Sequence, residues 1–286
     1  MSVAVLPSDR DRDAAANALA GVRTRGGVAI AFKADADGRT RLADLHEWGG
    51  FRVKLPHSHG LPEAVLINTG GGLLGGDAVN FGVVLDIGTT AQIVSLSAER
   101  VYRSLGPACR IDVTLDVGGR ARLHWLPQET ILFNEARLRR TITAKTAADA
   151  TLLMVEQTVF GRAAMGETVV AGSFHDTWRI WRGETLVYAE SIDLSGAIAQ
   201  KLGRAAIGAG AMAMATVLYM APDAADRLDD ARAALDAKHG RAAVSTWNGM
   251  LIGRLLAPAA DALNADVARL ATFLSGRAMP RVWGLM

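Results

Sequence analysis

The sequence predicts a mainly β protein, a strand-built body followed by a small C-terminal helical region. Two observations predict it. Apolar residues alternate with polar ones in run after run from about residue 25 to 220, with no convincing amphipathic helix among them. Beyond about residue 222 the apolar spacing changes to that of helices. Runs of strands followed by runs of helices argue against an alternating βαβ fold.

Taken in chain order, residues 1–20 read as a loosely ordered extension. A secretory signal needs a basic start and an apolar stretch of about 7–15 residues. Here Pro7 and the charged run from Asp9 to Arg12 interrupt after five apolar or small residues. Ala64 to Ile67 is an apolar strand leading into the glycine-rich stretch at 69–77, and Phe81, Val83, Leu85 and Ile87 alternate up to a turn at Gly88. Ile111 to Val117 and Ala121 to Trp125 alternate on either side of Gly118-Gly119, which predicts a β-hairpin. Paired glycines accept the positive φ of tight hairpin turns, and Asp112 and Asp116 would then face Arg120 and Arg122. Arg139 to Lys145 is another strand, and Leu152 to Glu156 is a buried one. Trp178 to Arg182 turns at Gly183-Glu184 and returns as Thr185 to Ile192.

Ala205 to Pro222 carries no charge, and its length approaches the roughly 18–20 residues of a membrane-spanning helix. It is rich in Ala and Gly, however, and reads as a loop followed by one buried strand. Asp223 to His239 then reads as a helix. Thr246 to Leu256 reads as a second, capped by Thr246 and ended by Pro258, and Ala259 to Ser275 as a third. The expected organisation is an extension at 1–20, a β-rich body at 21–221, and helices with a tail at 222–286, packed on the body or on a partner.

Composition narrows the chemistry. The chain has 286 residues, half of them apolar, with 31 basic against 29 acidic side chains. That balance disfavours nucleic acid as a partner. Thirty glycines mark many turns. The single cysteine, Cys109, excludes an intramolecular disulfide and a Cys-based zinc finger, and reads as a small buried hydrophobe. Gly70, Gly72 and Gly75 spell the dinucleotide-binding pattern, but a strand rather than a helix follows, so the stretch reads as a structural turn. There is no P-loop motif. His57 and His59 form an H-x-H pair in a loop, only two potential metal ligands. Glu129, Glu156 and Glu167 offer carboxylates that a glycosidase would need in a pair. Glu156 interrupts an apolar strand, so it needs a partner, for which Arg162 is the candidate.

Several segments, in order, resemble the urease accessory protein UreD (UreH) family. They are Gly49-Gly50-Phe51-Arg52-Val53, GGGLLGGD at 70–77, and Glu99-Arg100-Val101-Tyr102-Arg103-Ser104. LPQETILF at 126–133 and Glu156 with GRAAMGE at 161–167 follow. Trp247-Asn248-Gly249-Met250-Leu251, Arg254 to Pro258, and Pro280-Arg281-Val282-Trp283 complete the match. Asn134-Glu135 departs from the family's usual Asp-Gly, and residues 1–20 match nothing. The resemblance implies a β-helix-like stack of strands and hairpins. It also implies a non-enzymatic, cytoplasmic scaffold that works with UreF and the GTPase UreG on urease apoprotein and enables nickel incorporation. No tightly bound cofactor and no membrane are expected, and nickel is handled transiently. A chain so poor in cysteine would pass nickel on oxygen ligands, which exchange readily. Asp77, Glu99, Glu129, Glu156 and Glu167 are the candidate passage carboxylates. Arg162, Trp247, Asn248, Arg254, Leu255 and Trp283 are the candidate partner-binding residues, those near the C-terminus for UreF. A generic β-rich binding module and a carbohydrate-active enzyme are the alternative readings.

Overall fold

In the computed structural model, residues 23–56, 61–162, 165–235 and 240–284 are described. The chain first forms two antiparallel pairs, β1 (Arg25–Ala34) with β2 (Thr40–Trp48), and β3 (Phe51–Lys54) with β4 (Glu63–Asn68). It then coils. One turn of the coil is β5 (Ala78–Leu85), β6 (Thr90–Ser95) and β7 (Glu99–Val101). The next is β8 (Cys109–Val117), β9 (Arg122–Leu126) and β10 (Thr130–Leu132). The third is β11 (Arg137–Thr146) and the long β12 (Thr151–Phe160). Strands of successive turns pair in parallel. Ala78 lies beside Arg110, Arg110 beside Arg139, and Arg139 beside His175 of β13 (Gly172–Arg182). On the second wall β4, β6, β9 and β12 stack the same way, and β7, β10 and the end of β12 form a short third side. This is β-solenoid stacking, the β-helix-like arrangement that the family resemblance implies.

Antiparallel strands finish both walls. β13 turns back as β14 (Thr185–Gly196) at Gly183-Glu184, where the sequence places the turn. On the second wall β15 (Ala213–Met220), β17 (Met250–Ala257) and β16 (Arg241–Trp247) follow β12. The result is a seven-stranded sheet facing a ten-stranded one. A six-residue helix α1 (Ile198–Gly203), which the sequence reading does not anticipate, links β14 to β15. Among the described residues no helix is long and apolar enough to cross a membrane, and β15 is the buried strand expected within 205–222.

Two expected elements are absent. There is no hairpin at Gly118-Gly119: β8 lies in one sheet and β9 in the other. The glycines form a corner instead, where Gly118 N–H donates to Leu85 O at 2.9 Å in the preceding coil and Gly88 N–H donates to Gly119 O at 2.8 Å. Local alternation is the same for a hairpin and a solenoid corner. Stacking on neighbouring coils decides between them, so Asp112 meets Arg110 on its own strand at 2.8 Å rather than Arg120 or Arg122. Nor is Thr246 to Leu256 a helix. It is the β16–β17 hairpin, turning at Asn248-Gly249 with φ of +48° and +68°. Thr246 Oγ1 donates to Met250 O across that turn instead of capping a helix.

The remaining helices are α2 (Leu228–Ala234), preceded by a 3₁₀ turn at Ala225–Arg227, and α3 (Ala260–Ser275). The far end of the predicted 223–239 helix lies outside the described residues. α3 matches the third predicted helix. It buries Leu263, Val267, Leu270 and Leu274 on the outside of the larger sheet across β12, β15 and β17, and ends at Gly276 with φ +64°. β12 is therefore covered on both faces. Leu152, Met154 and Phe160 point into the solenoid, and Leu153, Val155 and Val159 point under the helical layer. All ten of its residues are buried.

Candidate functional site

Inside the solenoid, the apolar inward row of β11 is broken by a cation. Leu138, Ile142 and Ala144 are in phase with Arg140, which is 3% exposed. A buried guanidinium needs partners, and the neighbouring strands supply two. Arg140 donates bidentately to Asp176 on β13, Nε to Oδ1 at 3.0 Å and Nη2 to Oδ2 at 2.6 Å. Its Nη1 donates to Glu156 Oε2 on the facing wall, and Trp125 Nε1 donates to Glu156 Oε1 at 2.8 Å. One cation thus serves two carboxylates. Burial pushes Glu156 above the ordinary carboxylate range even against the attraction of Arg140. Burial also opposes the charge on Arg140, but Asp176 and Glu156 together keep it firmly protonated.

Glu99 stands on the third side, at the start of β7. Its two oxygens accept from Asn68 Nδ2 at 2.9 and 3.1 Å. Burial outweighs those bonds and pushes its carboxyl up to about 7. Glu99, Glu156, Arg140, Trp125, Asn68 and Gln128 line one inner cavity of about 60 Å³. That is room for about four to six water-sized particles. Gln128 is held from outside the cavity: its Nε2 donates to Val282 O at 2.7 Å in the C-terminal 3₁₀ turn Arg281–Gly284.

The five predicted passage carboxylates do not all converge. Glu99 and Glu156 share the cavity. Asp77 buttresses the glycine-rich loop, its carboxylate accepting from Thr24 N–H at 2.8 Å and Leu74 N–H at 2.7 Å. That loop is a structural turn: a Cβ on Gly75 would lie 1.8 Å from Ser104 Oγ. Glu129 points the other way from Gln128, into a separate cavity of about 20 Å³ beside Gln157, Asp261 and Asn264, and burial raises its carboxyl. Glu167 lies in the loop after β12, accepting from Arg162 Nε at 2.7 Å, which holds it below its ordinary value. Arg162 is thus the partner of Glu167, not of Glu156 as the sequence reading expects. Its guanidinium also rests 4.1 Å from the Phe133 ring centroid. Glu129 and Glu156 line separate cavities, and Glu167 is engaged with Arg162.

Of the candidate partner-binding residues, Trp247 presents a large apolar surface, 57% exposed at the sheet edge. Asn248 and Arg254 belong to a clamp between the two walls. Asn248 Nδ2 donates to Val187 O at 3.2 Å, and Arg182 donates to the Asn248 and Gly249 carbonyls at 3.1 Å. Arg254 donates to Tyr188 Oη at 2.6 Å and Thr216 Oγ1 at 3.0 Å, and pairs with Glu190. Leu255 is buried beneath the helical layer, and Trp283 is buried with Nε1 donating to Leu126 O at 3.0 Å. These two side chains are spent inside the fold and present no docking surface. Cys109 is buried, and burial raises its thiol, which suits an inert core residue. Among the described residues no group of three or more His, Cys, Asp or Glu is arranged to hold a metal ion. His57 and His59 lie outside the described residues.

Sequence reasoning missed Arg140, Asp176, Trp125 and Gln128. For Arg140 a signal existed, since it falls on the inward phase of its strand. Asp176 likewise shares a phase with Phe174, Trp178 and Ile180. The chain's residues 24–284 match the family described as "UreD urease accessory protein". It is 47% identical over 270 residues to the urease accessory protein UreD of Methylobacterium sp. (strain 4-46), covering 91% of this chain and 95% of the relative. The urease accessory protein UreD of Azorhizobium caulinodans is 41% identical over 264 residues, 92% of this chain and 97% of that one. That of Rhodopseudomonas palustris (strain HaA2) is 42% identical over 269 residues, 93% and 95%.

Proposed function

The chain belongs to the UreD family of urease accessory proteins, and we propose that within urease maturation it is a non-enzymatic scaffold for nickel delivery. In this reading it assembles in the cytoplasm with UreF, the GTPase UreG and the urease apoprotein. Nickel is its cargo, bound transiently, and it keeps no cofactor of its own. The observation that carries the reading is a cavity inside the solenoid whose largely apolar lining includes the carboxyls of Glu99 and Glu156. A carboxylate pair held by hydrogen bonds, without thiolates, gives a divalent ion oxygen ligands that it can leave again. The P-loop that GTP hydrolysis requires is not in this sequence, which fits hydrolysis on a partner.

The proposed passage narrows from five carboxylates to two. Asp77 and Glu167 are engaged in holding loops, and Glu129 faces a different cavity. The docking surface narrows likewise, to the sheet edge that carries Trp247. Exposed tryptophan is a common anchor of protein interfaces. The test is co-expression with the urease structural and remaining accessory genes, with and without this chain. Urease should acquire nickel and activity only when the chain is present, and the chain should co-purify with UreF. Full nickel loading without it would refute the reading.

A further inference from the structure

Outside the solenoid, the N-terminal end of α3 meets β12 across a polar seam. Gln157 falls on the outward row of β12 with Leu153, Val155 and Val159, under the helical layer. It is 2% exposed, and its Nε2 has no hydrogen-bond partner among the described residues. Asn264 on α3 lines the same cavity of about 20 Å³, and its buried Oδ1 is equally unmet. Glu129 and Asp261 complete the polar lining. Buried polar atoms without partners cost stability, so the seam calls for a ligand. The helix ends are also fastened differently. At the C-terminal end Arg227 donates to Phe273 O at 2.7 Å and to Leu274 O at 2.8 Å. At the N-terminal end Ala259 makes no side-chain cap.

The unmet atoms decide what fits. Gln157 offers an N–H and needs an acceptor, whereas Asn264 offers an oxygen and needs a donor. A cation would meet Asn264 but face the Gln157 N–H and the positive end of the α3 dipole. An anion would meet Gln157 but face the carboxyls of Glu129 and Asp261. A neutral molecule that both donates and accepts meets both amides. One water needs about 10–15 Å³, so the cavity admits one and nothing larger. We propose that this seam is a binding site for one internal water molecule, which accepts from Gln157 Nε2 and donates to Asn264 Oδ1 and to the carboxyl of Glu129. Three bonds are the usual complement of a buried water. The water thus carries a hydrogen bond from the solenoid wall to the N-terminal end of α3, the end that lacks a cap.

A crystal structure of the full-length chain, at a resolution that shows ordered water, tests this directly. One peak is expected within hydrogen-bond distance of Gln157, Asn264 and Glu129, unchanged when crystals are soaked in rubidium chloride. No peak beside two ordered amides overturns the proposal. So does a peak that rubidium strengthens, which would mark a cation site. Thermal denaturation gives a second reading. Gln157→Met and Asn264→Leu roughly keep side-chain shape and remove the polar atoms. With a bridging water, each alone should lower the melting temperature by roughly 2–4 °C, because the other amide loses its partner. Together they should cost less than the sum, because the water and both amides leave at once. A seam without water predicts the opposite: each variant relieves its own unmet amide and raises the melting temperature, and the two effects add. A single variant that melts no lower than the wild type, or a pair whose effects add, overturns the proposal. The crystallographic result decides where a variant fails to fold.

Discussion

Arg140 holds the interior together by satisfying two buried carboxylates that face it from different walls. Removing one partner of a buried ion pair leaves uncompensated charge, typically at a cost of about 3–5 kcal/mol. Arg140→Leu should lose stability by about that amount in chemical denaturation. A loss under about 1 kcal/mol would show that water already screens the cluster. Glu99 and His124 give opposite pH signatures. Glu99 titrates higher folded than unfolded, so the folded chain binds the extra proton between about 4.5 and 7, and stability falls as pH rises through that window. His124 is buried with its Nδ1 unpartnered and is pushed down to about 4, so acidification from about 6.5 towards 4 protonates the unfolded chain first and destabilises the fold. Relative to wild type, Glu99→Gln should gain stability as pH rises to 7, and His124→Gln as pH falls below 6.5. Denaturation curves across pH 4–8 read both slopes, and parallel curves would contradict these assignments.

At the scale of elements, period-two alternation marked β5, β8, β11 and β13 correctly because one face of each strand meets the core. It could not say which strands are neighbours. β8 and β9 share a glycine corner but pair with residues of other coils, a choice made by stacking rather than by local pattern. The β16–β17 hairpin was legible in Asn248-Gly249, a strong two-residue turn signal. The helical reading rests instead on Thr246 as a cap and Pro258 as a stop, whereas in the strand Gly253 and the exposed Arg254 interrupt the apolar residues. Arg140 was equally legible by its phase, whereas the bond that holds Gln128 depends on where the C-terminal tail lands, 154 residues further on. Gly249→Val puts a branched side chain at φ +68°, against Arg182, and should cost roughly 1–3 kcal/mol. Thermal denaturation checks this, and an unchanged melting temperature would show that the turn relaxes freely. Trp247→Ala leaves the turn intact and should weaken capture of UreF without shifting the melting temperature. Undiminished capture would place the docking surface elsewhere.

Over the whole molecule, the solenoid repeats in space without repeating in sequence. The coils are joined by segments of unequal length, at 102–108, 133–136 and 161–171, so stacked positions do not recur at a fixed interval. The walls are tied together where the coil ends. Arg182 and Arg254 fasten the β13–β14 hairpin to the β15–β17 side, and the C-terminal turn bonds through Val282 to Gln128, between β9 and β10, and through Trp283 to Leu126 at the end of β9. The cavity lies between both walls, and the tail fastens Gln128 on its lining. The most direct measurement is the nickel content of urease purified after co-expression with the Glu99→Gln chain, with the accessory complex shown to assemble in full. Nickel-poor urease beside an intact complex is the predicted result. Urease loaded to the wild-type level would contradict passage through the solenoid.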